Sequence, residues 1–328
     1  MLGFYTHHKF TTDPSISDED FKRIEFPEYI RENIFNYEAE NKSWKLSVSR
    51  DGLIQFQRKS LEEQIQEVRE SWTEDLRTSK SFEFVWVKYL RDLNVIYFLL
   101  DCSTKLNFNI YAFQYYELTY LDAIRVHYDE DEKFCGQVHY RGNDLNALFR
   151  QGQVRPSNKK NFERSAELPT RVLEDLTGYY LDNVLNNDEY MTLLHRTAKS
   201  YSEHNLKNYE NSIVISWFIL ETYINQLWDK MLDSNDIKGG RKRKLKDRDY
   251  TASVKTEFLQ LQGSISDERY ESLDKLRSVR NKIAHNYMEF DATDTDSKNA
   301  LELVKEILKE KIELSFPFAT TGFPIIGL

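Results

Sequence analysis

A chain of 328 residues that is 40% hydrophobic and 14% aromatic, with only 11 Gly and 6 Pro, has material for one large core or two ordinary ones and is excluded from disordered and collagen-like classes. With 45 Lys plus Arg against 54 Asp plus Glu its net charge is −9, so a polyanionic partner has to be met by a local basic patch. The longest apolar run, Val95 to Leu100, is closed by Asp101 far short of the ~18–20 residues a bilayer span needs, the first ten residues lack the pattern of a secretion signal, and Cys102 and Cys135 are too few for a disulfide scaffold; a cytoplasmic protein with no membrane association is expected.

Taken in chain order, apolar and polar residues alternate from Trp44 to Gln57 on both sides of Asp51-Gly52, which predicts a β-hairpin closed by a two-residue type I′ turn. From Ser60 the period changes: Leu61, Ile65, Val68 and Trp72, then Phe82, Trp86, Leu90, Leu93, Tyr97 and Leu100, recur at helical steps and predict two helices. Stretches rich in Tyr, Phe, Ile and Val between Asn107 and Tyr140 predict further strands, with the acidic run Asp129 to Glu132 as a turn. The polar, aperiodic segment holding Pro156 and Pro169 marks a boundary near 165. Helical periodicity then covers Arg171 to Leu185, Asp188 to His204, Asn208 to Leu232, Thr251 to Gln262, Asp267 to Tyr287 and Ser297 to Leu314. The core stripe of the third is expected at Ile213, Trp217, Leu220, Ile224, Leu227 and Met231, and the apolar tail from Phe316 is expected to pack as an extended segment. The fold class is therefore α+β: a mixed α/β part over residues 1–165 and an all-α bundle over 166–328.

The sharpest local feature is Arg280-Asn281-Lys282-Ile283-Ala284-His285. Composition alone yields roughly 0.4 Arg–His pairs at this spacing and about 0.03 once Asn must follow the Arg, so the triple is moderately specific. At these residues the chain resembles the HEPN superfamily, helical bundles marked by an Arg, a polar residue, a short gap and a His. The helix from Asn211 to Leu232, with Glu221 on an apolar face, and the closing helix Ser297 to Leu314 extend the resemblance to roughly residues 166 to 315. The layout, a mixed first part ahead of a HEPN-like part, is similar to that of Abi-like and ApeA-like phage-defence proteins. The resemblance implies a metal-independent endoribonuclease acting as a toxin or antiviral defence effector in abortive infection.

The chemistry follows from the side chains themselves. Metal-free RNA cleavage needs a base for the 2′-hydroxyl proton, an acid for the leaving 5′-oxygen and a cation for the charge gathering on phosphorus. An imidazole such as His285 exchanges protons near neutrality, and the guanidinium of Arg280 grips two phosphate oxygens. Asn281, one turn before His285, is expected to orient the ring or the phosphate. Arg280 and His285 stand about 140° apart around one helix, so a single copy does not aim both at one phosphorus. The chain contains the Arg-x-x-x-x-His pattern once, and a composite site in a two-fold homodimer is expected.

Two supporting features are expected. The run Lys238 to Arg248, with Arg241, Lys242, Arg243 and Lys244 at its centre behind the Gly239-Gly240 pair, reads as a mobile loop that contacts RNA phosphates or as a plain connector. Glu221 reads as a partner for Arg280 or as an exposed helix-edge carboxylate. Asp291, Asp294 and Asp296 lack the glycine and closing Glu of a calcium loop, and Asp296 or Ser297 is expected as a helix cap; the acidic run at 129–132 is an exposed turn or a metal holder. The histidines and cysteines show no metal-ligand spacing and no phosphate-binding Gly loop occurs, so no cofactor is expected. The first part is assigned to sensing, through a regulatory protein or nucleotide. The alternative function is a non-catalytic HEPN module that binds a protein or nucleotide partner, antitoxin-like or scaffolding.

Overall fold

The alternation between Trp44 and Arg58 folds into two strands of the hairpin it predicts, β4 (Trp44–Ser49) and β5 (Leu53–Arg58), preceded by β1 (Leu2–Tyr5), β2 (Lys9–Thr11) and β3 (Asn33–Glu38). The computed structural model describes residues 2–6, 9–11, 31–70, 80–108, 115–119, 122–128, 134–139, 167–247, 249–286 and 290–314. Leu46 pairs with Phe56 and Val48 with Ile54, so the apolar members of both strands share the buried face. The turn differs from expectation. Gly52 alone takes a positive φ, 89°, and its N–H donates to the carbonyl of Ser49 at 3.0 Å, which makes a three-residue loop over Arg50, Asp51 and Gly52. Asp51 is buried and its carboxylate accepts from the Ser49 hydroxyl at 2.5 Å, which ties this residue into the turn and leaves the left-handed position to the glycine.

With β6 (Ile124–Tyr128) and β7 (Phe134–His139) these strands form an antiparallel six-stranded sheet ordered β3-β4-β5-β1-β6-β7, while β2 pairs in parallel with β8 (Glu167–Pro169). Of the strands foreseen between 107 and 140, β6 and β7 form, whereas residues 115–119 of the first Tyr-rich stretch are not strand; the acidic run between β6 and β7 lies outside the described residues.

Helices α1 (Lys59–Glu70) and α2 (Lys80–Phe108) follow the hairpin. From Asp92 to Lys105 every residue of α2 is buried, which requires neighbours on all sides. They include β1, α1 and the helical turns after β8, α3 (Arg171–Asp175) and a wide π turn (Leu176–Leu181), which α4 (Asp182–Leu185) continues. The single helix expected over 171–185 is therefore interrupted by that π turn. The central polar groups of α2 meet specific partners, although Asp101 Oδ1 and the Ser103 hydroxyl are buried without a hydrogen bond among the described residues. Asn94 accepts from Tyr115 Oη and from the Leu118 N–H and donates to the carbonyls of Leu90 and Leu118, using its full capacity. Asp92 receives Arg58 at 3.0 Å, and the same guanidinium donates to the carbonyl of Leu185. Because Val172, Leu173, Leu176 and Leu181 are buried and their turns pack on α2, this stretch belongs to the first compact unit, Met1–Met191; the second is Thr192–Leu328. The composition change near 165 falls outside the described residues, and the packing divides later, inside α5 (Asp188–Asn205).

The second unit is helical: the rest of α5, then α6 (Tyr209–Ser234), α7 (Gly239–Leu245), α8 (Ala252–Leu261), α9 (Asp267–Asn286) and α10 (Asp294–Ile312). The buried stripe of α6 includes the expected Ile213, Trp217, Leu220 and Ile224, then continues through Trp228 and Leu232, with Leu227 and Met231 half-buried. Packing of α8, α9 and α10 against α6 widens that stripe. The cap of α10 is Thr293, whose hydroxyl accepts from the Asp296 N–H while the Asp296 carboxylate accepts from the Thr293 N–H; Asp296 is thus the third residue of a capping box and Ser297 lies inside the helix. The apolar tail lies outside the described residues.

Gly3 sits between β5 and β6, and a Cβ there would lie 2.4 Å from the backbone oxygen of Ile54. Backbone cannot rotate away, so Gly3→Ala is expected to part the two central strands and lower stability by roughly 1–3 kcal/mol, read from the urea midpoint. An unchanged midpoint would refute this contact.

Candidate active site

The position of the Arg280 to His285 segment is set by how three helices run. Tyr223 of α6 donates to Glu310 of α10 at 2.7 Å and Lys311 donates to Gln226, while at the other end Ser297 donates to Ser212 at 2.9 Å and the Ala292 N–H donates to Glu210. Helix α10 therefore runs parallel to α6. Arg269, in the first turn of α9, reaches Glu306 and Glu310, and only residues 287–293 separate the end of α9 from the start of α10. Helix α9 thus descends antiparallel to both and delivers its last two turns to the end of the bundle where α6 and α10 begin.

Those last turns are thinly covered. Leu273 and Leu276 are buried, but Arg280, Asn281 and Ile283 are half-buried and Lys282, Ala284 and His285 are exposed. Arg280 differs from the other arginines of its helix. Arg269 is held by Glu306 and Glu310, Arg277 by Asp274 at 2.5 Å; Arg280 makes no ion pair among the described residues and donates from Nη1 to Asn281 Oδ1 at 3.1 Å. Its guanidinium keeps its charge available, with Asn281 steadying one edge. Asn281, expected to orient the imidazole or a phosphate, braces the arginine through Oδ1. His285 occupies the penultimate position of α9, with its ring toward solvent.

Glu221 does not join this group. It is half-buried in the middle of α6, where its charge acts on Lys255 of α8. Tyr223, two residues on, lies level with Arg269, eleven residues before Arg280, so helix register keeps Glu221 away from the motif end. The basic run also differs from expectation. Residues 239–245 are a helix, α7, tied back to the last turns of α6 by Lys246 to Asp229 at 2.7 Å, Lys242 to Asp233, and Trp228 Nε1 donating to the Leu245 carbonyl at 2.9 Å. Lys242 is thus engaged internally, whereas Arg241, Arg243 and Lys244 are exposed.

Sequence reasoning missed the polar centre beside the motif end. Ser200 of α5 lies 3.1 Å from Ser212 Oγ and 2.8 Å from Ser216 Oγ, Ser297 of α10 donates to Ser212, and His204 Nδ1 meets Ser297 Oγ at 2.9 Å, all of them buried. The signal was present as Ser200 with His204, and Ser212 with Ser216, each pair one helical turn apart within apolar faces. Burial pushes the His204 imidazole below its ordinary 6.5; Asp294, 3.8 Å from Nε2, opposes this, while Lys207 and Lys298 reinforce it. Desolvation prevails, so the ring is neutral at pH 7 and Asp294 is served by Lys298.

Among the described residues no three His, Cys, Asp or Glu side chains gather as a metal site requires, and no helix is long and apolar enough to cross a membrane. No family model, curated protein or solved structure matches the chain.

The His204 shift predicts a pH dependence of stability. The unfolded imidazole takes a proton near 6.5 and the buried one only at lower pH, so the stability it supports is complete above 6.5 and is lost as pH falls through the lower folded value. Chemical denaturation of wild type and His204→Gln between pH 7.5 and 5 is expected to give a flatter profile for the variant. Parallel profiles would place the acid sensitivity elsewhere.

Proposed function

We propose that the second unit is a metal-independent endoribonuclease whose active site is composed from two copies of the chain. The observation that carries the reading is the state of Arg280: a half-buried residue with no carboxylate partner among the described residues, braced by Asn281 and followed five residues later by the exposed His285. In an acidic chain where neighbouring arginines are neutralised, an uncompensated arginine on the same exposed helix end as an imidazole suits a phosphodiester.

Facing two α9 ends across a two-fold axis supplies two arginines and two imidazoles. One His285 takes the proton of the 2′-hydroxyl, and the 2′-oxygen attacks phosphorus. The bond to the 5′-oxygen breaks, and the second His285 protonates that leaving oxygen. Both Arg280 side chains hold the charge on the non-bridging oxygens, and the products carry 2′,3′-cyclic phosphate and 5′-hydroxyl ends. Exposed Ala284 and half-buried Ile283 offer a small apolar surface for that contact. The reading places the protein in the cytoplasm as a toxin or antiphage effector, with the first unit as its sensing part.

His285→Ala and Arg280→Ala are each expected to reduce cleavage of labelled RNA by roughly 10²–10⁴ while circular dichroism and dimer mass stay unchanged. Activity is expected to persist in a chelator. Wild-type rates for His285→Ala, or a strict Mg²⁺ requirement, would defeat the mechanism.

Subunit mixing tests the composite site. An excess of His285→Ala chains is expected to suppress wild-type activity beyond dilution, since a mixed dimer holds one imidazole. Strictly proportional loss, with exchange demonstrated, would assign the chemistry to a single chain.

A further inference from the structure

Helix α7 divides its cations between two faces. Lys242 and Lys246, one turn apart, point at Asp233 and Asp229 of α6, and Lys238 is paired with Asp236 at 2.5 Å. With Lys242 taken as the inward direction, Arg243, Lys244 and Arg241 follow at about 100°, 200° and 260° around the helix, which is the outward arc. These three are exposed and make no ion pair among the described residues. Two ion pairs to α6 and the Trp228 hydrogen bond thus hold the helix in place while three further charges face water.

The place of this patch is informative. It lies against residues 228 to 233 of α6, beyond the level of Tyr223, which meets Arg269 in the first turn of α9. Arg280 stands eleven residues down α9 in the opposite direction. At 1.5 Å per residue the two are separated by roughly 25–30 Å along the bundle, and His285 lies farther still.

We propose that the outward face of α7 is a remote phosphate-binding surface, which makes the preferred substrate an RNA long enough to reach from the Arg280–His285 end to the opposite end of the bundle. The inference rests on the ribonuclease reading for what happens at the near end. A stacked strand advances about 3.4 Å per phosphate, so about eight phosphates span the gap. In a two-fold dimer with the α9 ends facing, the scissile phosphate is central and the two α7 helices flank it, so the RNA extends along an arm of the dimer. Two of the three outward cations are arginines, which hold phosphate oxygens in pairs. The net charge of −9 leaves a polyanion few other places to settle. A membrane surface fits less well, because α7 presents only half-buried Leu245 and no exposed apolar side chain beside its charges.

The test measures binding in full-length His285→Ala protein, so that RNA survives, against single strands of 4, 8, 16 and 24 nucleotides. Affinity is expected to climb between 8 and 16 nucleotides. Adding Arg241→Ser, Arg243→Ser and Lys244→Ser is expected to weaken 16- and 24-mer binding on the order of tenfold and lower the salt slope by about 2, three contacts at about 0.7 each, while the tetranucleotide serves as the reference. Lys242 is left in place because it clamps Asp233. An unchanged affinity and slope for the 24-mer overturns the proposal, as does equal, triple-variant-sensitive binding of polyglutamate or anionic lipid vesicles, which would reassign the surface to a protein or membrane. Failure of the ribonuclease reading shows separately: wild type would then bind long RNA in an α7-dependent way and not cut it.

Discussion

Buried hydroxyls must find each other when water is absent, and in the helical unit that requirement sets the register of three helices. Ser200, Ser212, Ser216 and Ser297 are inaccessible to solvent, and with His204 they form one connected chain of hydrogen bonds across α5, α6 and α10. Sliding any helix by a turn would leave several of these groups unpaired, at about 1–3 kcal/mol each. Their small side chains also let the helices approach closely. Once α10 is locked parallel to α6, the short joint from 287 to 293 obliges α9 to descend between Arg269 and His285. The location of the candidate site is thus a consequence of a polar network that does not itself face a substrate.

The sheet-based unit solves the same problem with larger polar groups. The stretch of α2 from Asp92 to Lys105, buried on all sides, carries Asp92, Asn94 and Asp101 into the core, and each meets a dedicated partner: Arg58, the segment at Tyr115 to Leu118, and Lys105. Burial drives the Asp101 carboxyl up to about 6, with Lys105 opposing. Arg58 links the last residue of β5 to α2 and to the end of α4 through one guanidinium. Directional bonds of this kind select one packing of an otherwise uniform apolar surface.

In both the motif helix and the basic helix, carboxylates decide which cations remain for outside partners. Along α9, acidic neighbours consume Arg269 and Arg277 and leave Arg280; along α7, aspartates of α6 consume the lysines and leave two arginines and Lys244. An acidic protein can thereby present a few uncompensated cations at defined points, which suits the recognition of a polyanion better than a diffuse positive surface.

The amino-acid sequence by itself determined the elements whose signals are periodic: the hairpin from the alternation at Trp44 to Gln57, the long helices from their apolar stripes, the change from mixed to helical structure, and the Arg280-Asn281-His285 spacing. It also held the Thr293 to Asp296 capping box and the serine and histidine pairs, whose partners are distant and therefore invisible to a local pattern. Only the tertiary structure decided the rest. Helix α7 opens with two glycines and carries no apolar stripe; it is held by Asp229, Asp233 and Trp228, residues contributed by another helix. Glu221 and Arg280 are both legible as charged residues near apolar faces, but their separation depends on α9 running antiparallel to α6, and a direction of packing is set by contacts far apart in the chain rather than by any residue's own preference.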